Sequence, residues 1–225
     1  MQNPVERILQ LTADGSHTLF IPEMDEHYHS VNGAVQESRH VFVDAGLRHV
    51  EGREITVLEI GFGTGLNAFL TLLEAKASRK VVHYHSVELY PLGREEVRAL
   101  NYGEVVCPAG RGLFEALHEA QWEIPVRITD SFELHKIKGD ANRCDLPDGI
   151  DLVYFDAFAP DKQPEMWNRE IFGRLYTRMR PGGILTTYCA KGAVRRMMKE
   201  AGYAVERIPG PPGKREMLRA IKKMS

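Results

Sequence analysis

Three cysteines in 225 residues, Cys107, Cys144 and Cys189, are too few and too scattered for a disulfide framework. No C-x-x-C pair is present, which removes the usual zinc-ligand spacing. No apolar run approaches the ~20 residues that span a bilayer. The leading Met1-Gln2-Asn3-Pro4-Val5-Glu6-Arg7 lacks the basic-then-apolar order of a secretory leader. A cytoplasmic chain with no membrane partner is therefore expected. Net charge is nearly absent too: 29 Lys and Arg against 31 Asp and Glu leave −2, so bulk charge names no partner. There is no internal repeat, and Pro209-Gly210-Pro211-Pro212-Gly213 is the longest low-complexity stretch. With 43% hydrophobic and 27% charged residues, disorder, collagen and coiled coil are excluded as descriptions of the whole chain. A chain of this size buries roughly 70–75% of its unfolded surface, enough for a core without staples.

The charge that is present is unevenly spread. Residues 190–225 carry ten Lys and Arg against three acids, a local +7 that leaves −9 for residues 1–189. A basic terminal segment on an acidic body fits either a polyanion site or a solvated face.

Residues 1–50 read as an N-terminal extension or lid. Asp14-Gly15 and Asn32-Gly33 are turn signals, Ser16–Pro22 suits a short strand, and a helix is expected from Gly33 to about His49. From residue 51 onward the pattern is strand, turn, helix, repeated. Strands are expected at Ile55–Ile60, Val81–Leu89, Val126–Thr129, Ile150–Phe155 and Ile184–Tyr188, with two more near 203–208 and 217–221. Helices are expected at Leu66–Ala77, Arg94–Leu100, Pro164–Met179 and Val194–Lys199. Pro181-Gly182-Gly183 reads as the stop between the third of these helices and its strand. This alternation predicts an α/β fold, a Rossmann-like, doubly wound and mostly parallel sheet. Such sheets bind ligands beyond the carboxyl ends of their strands. Gly61, Glu88, Asp130 and Asp156 each stand at an expected strand end.

The sharpest motif is Glu59-Ile60-Gly61-Phe62-Gly63-Thr64-Gly65-Leu66-Asn67. Glycines at a strand-to-helix turn let the backbone approach a ligand and take positive φ, and the helix start beyond offers unpaired N–H groups. The dinucleotide fingerprint needs a third glycine where Leu66 stands. The G-x-G-x-G spacing instead resembles motif I of the S-adenosylmethionine-dependent methyltransferases, although a tight turn without a ligand has the same appearance. Glu88, at the end of the next strand, can accept both ribose hydroxyl hydrogens. Asp130-Ser131 is expected at the adenine.

Asp156-Ala157-Phe158-Ala159-Pro160 follows the fourth expected strand. Methyl transfer from a sulfonium is an in-line displacement, so an accepting amine must present a free lone pair. A carboxylate can take the amine's hydrogens or act as a base, and an aromatic ring can stack on the carrier. The plainer reading is that Asp156 caps a turn and Phe158 belongs to the core.

Taken together, Y-H-S-V-N-G-A-V-Q-E-S-R-H-V-F at 28–42, G-F-G-T-G-L-N at 61–67 and D-A-F-A-P-D-K-Q-P-E-M-W at 156–167 resemble the methyltransferase half of the bifunctional tRNA-modifying MnmC family. So do R-P-G-G-I-L-T-T-Y at 180–188, G-A-V-R-R at 192–196, A-G-Y at 201–203 and K-R-E-M-L at 214–218. These stretches span most of the chain in order. The resemblance implies a class I methyltransferase fold at 51–225, closed by the extension at 1–50. It implies S-adenosylmethionine as cofactor, and methylation of the amine of 5-aminomethyl-2-thiouridine at the tRNA wobble position. Glu59, Gly61, Phe62, Gly63, Thr64, Gly65, Leu66, Asn67, Glu88, Asp130, Ser131 and Asp156 are expected around the cofactor. Asp156, Phe158 and Pro160 would frame the amine, with Tyr28 and Glu37 closing the pocket. Arg195, Arg196, Lys214 and Arg215 would meet tRNA phosphates near the anticodon loop. The flavin-dependent oxidase of the bifunctional chains has no counterpart within these 225 residues, so no flavin is expected.

Two other readings remain. One is a methyl- or aminopropyltransferase acting on a small amine; the other, from a different class, is a non-catalytic RNA-binding scaffold. Metal is not expected, because His27 with His29, and His83 with His85, lack a third ligand set. The stripe Trp167, Ile171, Leu175 and Met179 reads as core.

Overall fold

Short apolar strands buried on both faces build the central sheet of the computed structural model, which describes residues 5–224. The first four residues, part of the stretch read for a leader, and Ser225 lie outside it. The chain begins with a small antiparallel sheet of β1 (Ile8–Leu11), β2 (His17–Ile21) and β3 (Glu26–His27). A short helix α1 (Ala34–Ser38) follows and widens into a π-helical turn, Arg39–Asp44. The single helix expected from Gly33 to His49 is therefore broken into turns of different pitch.

The main sheet then assembles from β4 (Glu54–Ile60), α2 (Leu66–Ser78), β5 (Val81–Glu88), α3 (Arg94–Ala99), α4 (Tyr102–Val105) and α5 (Arg111–Glu119). It continues through β6 (Pro125–Thr129), β7 (Phe132–Lys138), β8 (Ile150–Phe155), α6 (Arg169–Arg178), β9 (Met179–Thr187), α7 (Gly192–Glu200), β10 (Ala204–Pro209) and β11 (Glu216–Ile221). Strand order is β10-β11-β9-β8-β4-β5-β7-β6. Strands β9, β8, β4, β5 and β7 are parallel, while β6 and β11 run antiparallel to their neighbours. A largely parallel, doubly wound sheet is thus present, with an antiparallel hairpin at each edge.

Apolar residues on both sheet faces form two cores. Val57, Phe69, Leu72, Tyr84 and Tyr154 pack on one side. Leu58, Val153, Phe155, Phe172 and Leu175 pack on the other. Two local signals set helix starts: Asn168 caps α6 by accepting from the Ile171 amide at 2.8 Å, and Gly65 opens α2 at φ +73°. The Trp167, Ile171, Leu175 and Met179 stripe is buried, as the spacing required.

Two differences from the sequence reading matter. Pro181-Gly182-Gly183 lies inside β9 rather than before it, with a register shift against β8 between Ile150 and Leu152. An unforeseen strand, β7, supplies the third parallel carboxyl end. Among the described residues no helix is long and apolar enough to cross a membrane.

Candidate active site

A cavity of about 710 Å³ opens at the carboxyl ends of β4, β5, β7 and β8. The crossover at β4/β5 and β4/β8 makes this the point where strand order reverses, and the β4–α2 loop forms its floor. Gly61, Gly63 and Gly65 all take positive φ. At Gly61, φ +93°, a Cβ would stand 2.8 Å from the backbone oxygen of Asp156. At Gly63 it would press on the Tyr28 ring at 3.2 Å, and at Gly65 it would meet Nε2 of His118 at 2.7 Å. A side chain is excluded by backbone at Gly61, and positive φ strains one at Gly63 and Gly65.

Side chains from three directions hold this loop. Glu88, at the end of β5, accepts the Gly63 amide through Oε2 at 2.9 Å and the Tyr90 amide through Oε1 at 2.7 Å. His29 Nε2 lies 2.7 Å from Thr64 Oγ1, and His118 Nε2 lies 3.1 Å from the Thr64 carbonyl. Burial pushes both histidines down to about 4, so they stand neutral. Lys136 lies beneath Phe62, its Nζ 5.3 Å from the ring centroid and bonded to the His118 carbonyl. Burial lowers its pKa to about 8.

Asp156 follows β8 on the facing side of the cavity. Its Oδ2 accepts Asn67 Nδ2 at 2.8 Å. Burial raises the carboxyl to about 7, opposed by that hydrogen bond. Phe158 stands edge-on to Tyr28, with centroids 5.1 Å apart. Its backbone is pinned from both sides: the amide donates to Gln163 Oε1 at 3.2 Å, and the carbonyl accepts Trp167 Nε1 at 2.7 Å. Tyr28 in turn accepts from Arg7 Nε at 3.0 Å, tying the ring to the N-terminal segment.

Gly61, Phe62, Gly63, Thr64, Leu66, Asn67, Glu88, Asp156, Phe158 and Tyr28 all line the cavity. Five expected residues do not, the first of them Gly65, which faces His118 and Phe62 behind the loop. Glu59 points from β4 into the core, fully buried, where its Oε2 accepts Ser86 Oγ at 2.6 Å. Strand alternation sends Glu59 toward the face that α2 covers, away from the cavity. Asp130 and Ser131 form the β6–β7 hairpin, and the Ser131 carbonyl accepts the Val82 amide at the start of β5. That is the opposite edge of the sheet, because β6 runs antiparallel. Pro160 lies beyond the lining. In their stead Gly139, Asp140 and Ala141, at the end of β7, line the cavity. Gln163, Tyr188 and Arg7 also do so and were not foreseen. Lys214, expected on RNA phosphates, is in the cavity wall, bonded to Glu37 Oε1 at 2.6 Å. Arg196 and Arg215 are exposed, and Arg195 is half-buried.

The residues present suit S-adenosylmethionine. The glycine cradle leaves no room for a side chain, Glu88 stands at the second strand end, and Asn67 Oδ1 is buried without a partner among the described residues. This sheet order and glycine cradle are those of the class I S-adenosylmethionine-dependent methyltransferase fold.

Known proteins agree with that class. Residues 116–223 match the family model described as S-adenosyl-L-methionine-dependent methyltransferase. The "tRNA 5-methylaminomethyl-2-thiouridine biosynthesis bifunctional protein MnmC" of Cupriavidus necator is 33% identical over 95% of this chain and 34% of its own length. The protein of the same name from Burkholderia multivorans is 33% identical over 89% of the chain and 33% of its own length. The crystal structure of MNMC2 from Aquifex aeolicus superposes with a TM-score of 0.81 at 26% identity, covering 100% of this chain and 72% of that one. The chain is thus similar to the methyltransferase-bearing MnmC proteins, as its motifs indicated, and spans about a third of the length of these curated relatives.

Proposed function

We propose that this protein methylates the amine of 5-aminomethyl-2-thiouridine at the wobble position of tRNA, giving 5-methylaminomethyl-2-thiouridine. The observation that carries the reading is the Asn67–Asp156 hydrogen bond, which sets a carboxylate against the glycine cradle in one cavity. When bound, S-adenosylmethionine supplies an electrophilic methyl group on a sulfonium. The chain's task is then to hold an amine in line with it. Asp156 Oδ2 is taken by Asn67, which leaves Oδ1 to accept an amine hydrogen. A carboxyl lifted to about 7 is matched to proton transfer near neutral pH, so Asp156 acts as general base. Tyr28 and Phe158 offer aromatic edges against which an everted base can lie.

Glu88 and Asn67 would hold the nucleoside and amino-acid ends of the cofactor, with Asp140 near the adenine. Residues 1–50 serve as a lid on a methyltransferase unit at 51–225. Exposed Arg196 and Arg215, with Arg195 beside them, would take phosphates flanking the anticodon loop. The reading assigns no metal and places the enzyme with tRNA in the cytoplasm. Its test is nucleoside analysis of bulk tRNA from cells lacking the gene. The expected result is loss of the methylated nucleoside and accumulation of its aminomethyl precursor. Unchanged wobble nucleosides would overturn the substrate assignment.

A further inference from the structure

Lys214 follows the turn Gly210–Gly213 between β10 and β11. Its Nζ stands 2.6 Å from Glu37 Oε1 and 3.9 Å from the centroid of the Tyr188 ring. Both walls of this cage are fixed from behind. Glu37 Oε2 accepts the Ser30 amide at 2.8 Å. The Tyr188 hydroxyl donates to the Ala157 carbonyl at 2.8 Å. Glu37, Tyr188 and Asp156 line one cavity, and the charges of Glu37 and Lys214 both act on Asp156. A carboxylate and an aromatic face converging on one ammonium make a cation site. The cation is the adaptable member: the Lys214 side chain is 36% exposed, against 10% for Glu37. A lysine head on a four-carbon stem can leave without disturbing the backbone.

We propose that Glu37 and Tyr188, with Asp156 beside them, form a binding site for the alkylammonium group of the substrate, and that Lys214 is its resident occupant until substrate enters. The inference rests on the amine-methylation reading for the identity of the substrate, though not for the existence of the site. One ammonium leaves Glu37 as another arrives, so charge is conserved. The incoming group then passes one N–H proton to Asp156; the nitrogen keeps that bond's electron pair as a free lone pair, and Asp156 becomes the neutral acid. The displaced Lys214 head turns to the mouth, where a polyanionic substrate offers a phosphate. A neutral hydroxymethyl analogue cannot displace it, so the cage selects the cationic substituent.

The test uses ethylammonium chloride as probe, titrated into the full chain saturated with S-adenosylhomocysteine and followed by NMR. Lys214→Met vacates the cage while keeping the apolar stem. If Lys214 fills the cage nine times in ten, removing it tightens apparent ethylammonium binding about tenfold. Adding Glu37→Gln to that variant is expected to abolish the gain, and ethanol is expected to bind neither form. Affinity unchanged by Lys214→Met, or a gain that survives Glu37→Gln, would overturn the proposal. Retained S-adenosylhomocysteine binding certifies that each variant is folded. A second readout is methylation of the free nucleoside 5-aminomethyl-2-thiouridine, whose KM is expected to fall in Lys214→Met. If ethylammonium behaves as expected and the wild-type protein methylates no aminomethyl nucleoside, the site stands and the substrate reading falls.

Discussion

Asn67 reaches from the first turn of α2 to the end of β8, where its Nδ2 donates to Asp156 Oδ2 at 2.8 Å. One hydrogen bond thereby joins the helix that opens from the glycine cradle to a carboxylate in the wall of the same cavity. The same amide leaves Oδ1 buried and without a partner among the described residues. Asp156→Asn keeps the shape and removes the base. Its expected effect is a fall in kcat of about 10²–10⁴-fold, the usual worth of a positioned acid or base. S-adenosylhomocysteine affinity, measured by calorimetry, should change little.

The pH profile follows from the raised Asp156 carboxyl. Below about 7 it is protonated and cannot accept, so kcat should climb with pH through about 7 and level off above. Asn67→Leu removes a hydrogen bond that favours the charged form, and the acid limb should move to higher pH. A limb that stays in place would separate Asn67 from the ionisation of Asp156.

Glu59 carries a different pH signature, in stability. Burial lifts it to about 8, above the usual carboxyl value. Between the two values the folded chain holds a proton that the unfolded chain has released. Stability attributable to this group therefore falls as pH rises through that window. Glu59→Gln should flatten the trend, seen as a smaller difference between urea midpoints at about pH 5 and about pH 9.

Gly61→Ala introduces a Cβ 2.8 Å from the Asp156 carbonyl oxygen at a φ of +93°. Backbone must shift on both sides of the site. Strain at such a position costs on the order of 1–3 kcal/mol, so cofactor affinity and Tm should fall together. A variant with unchanged cofactor affinity would show that the cradle is not the binding element.

Asp140→Ala should weaken cofactor binding, whereas Asp130→Ala should leave it unaltered, because only the former residue stands at the cavity. Calorimetry on the two variants decides between them. This pair also marks where the sequence was legible. The β4–α2 loop announces itself through three glycines, and Glu88 and Asp156 through short apolar runs that end in acids. Phe132–Lys138 is harder to read, because Lys136 occupies a buried position between Leu134 and a half-buried Ile137. Its burial is made tolerable by the His118 carbonyl and the rings of Phe62 and Trp122, none of which is near in sequence. With that strand unread, the hairpin at Asp130 passes for the third strand end. Glu59 misleads similarly: its position before the glycines suggests a ligand, yet strand alternation buries it. The place of Lys214 depends on a pairing with Glu37 across 177 residues, which no local pattern carries.

The most direct test gives the purified protein labelled S-adenosylmethionine and tRNA bearing 5-aminomethyl-2-thiouridine, with Asp156→Asn alongside. Label in 5-methylaminomethyl-2-thiouridine from the wild-type chain, and almost none from the variant, is the predicted result. Equal label from both, or label in any other nucleoside, would contradict the account.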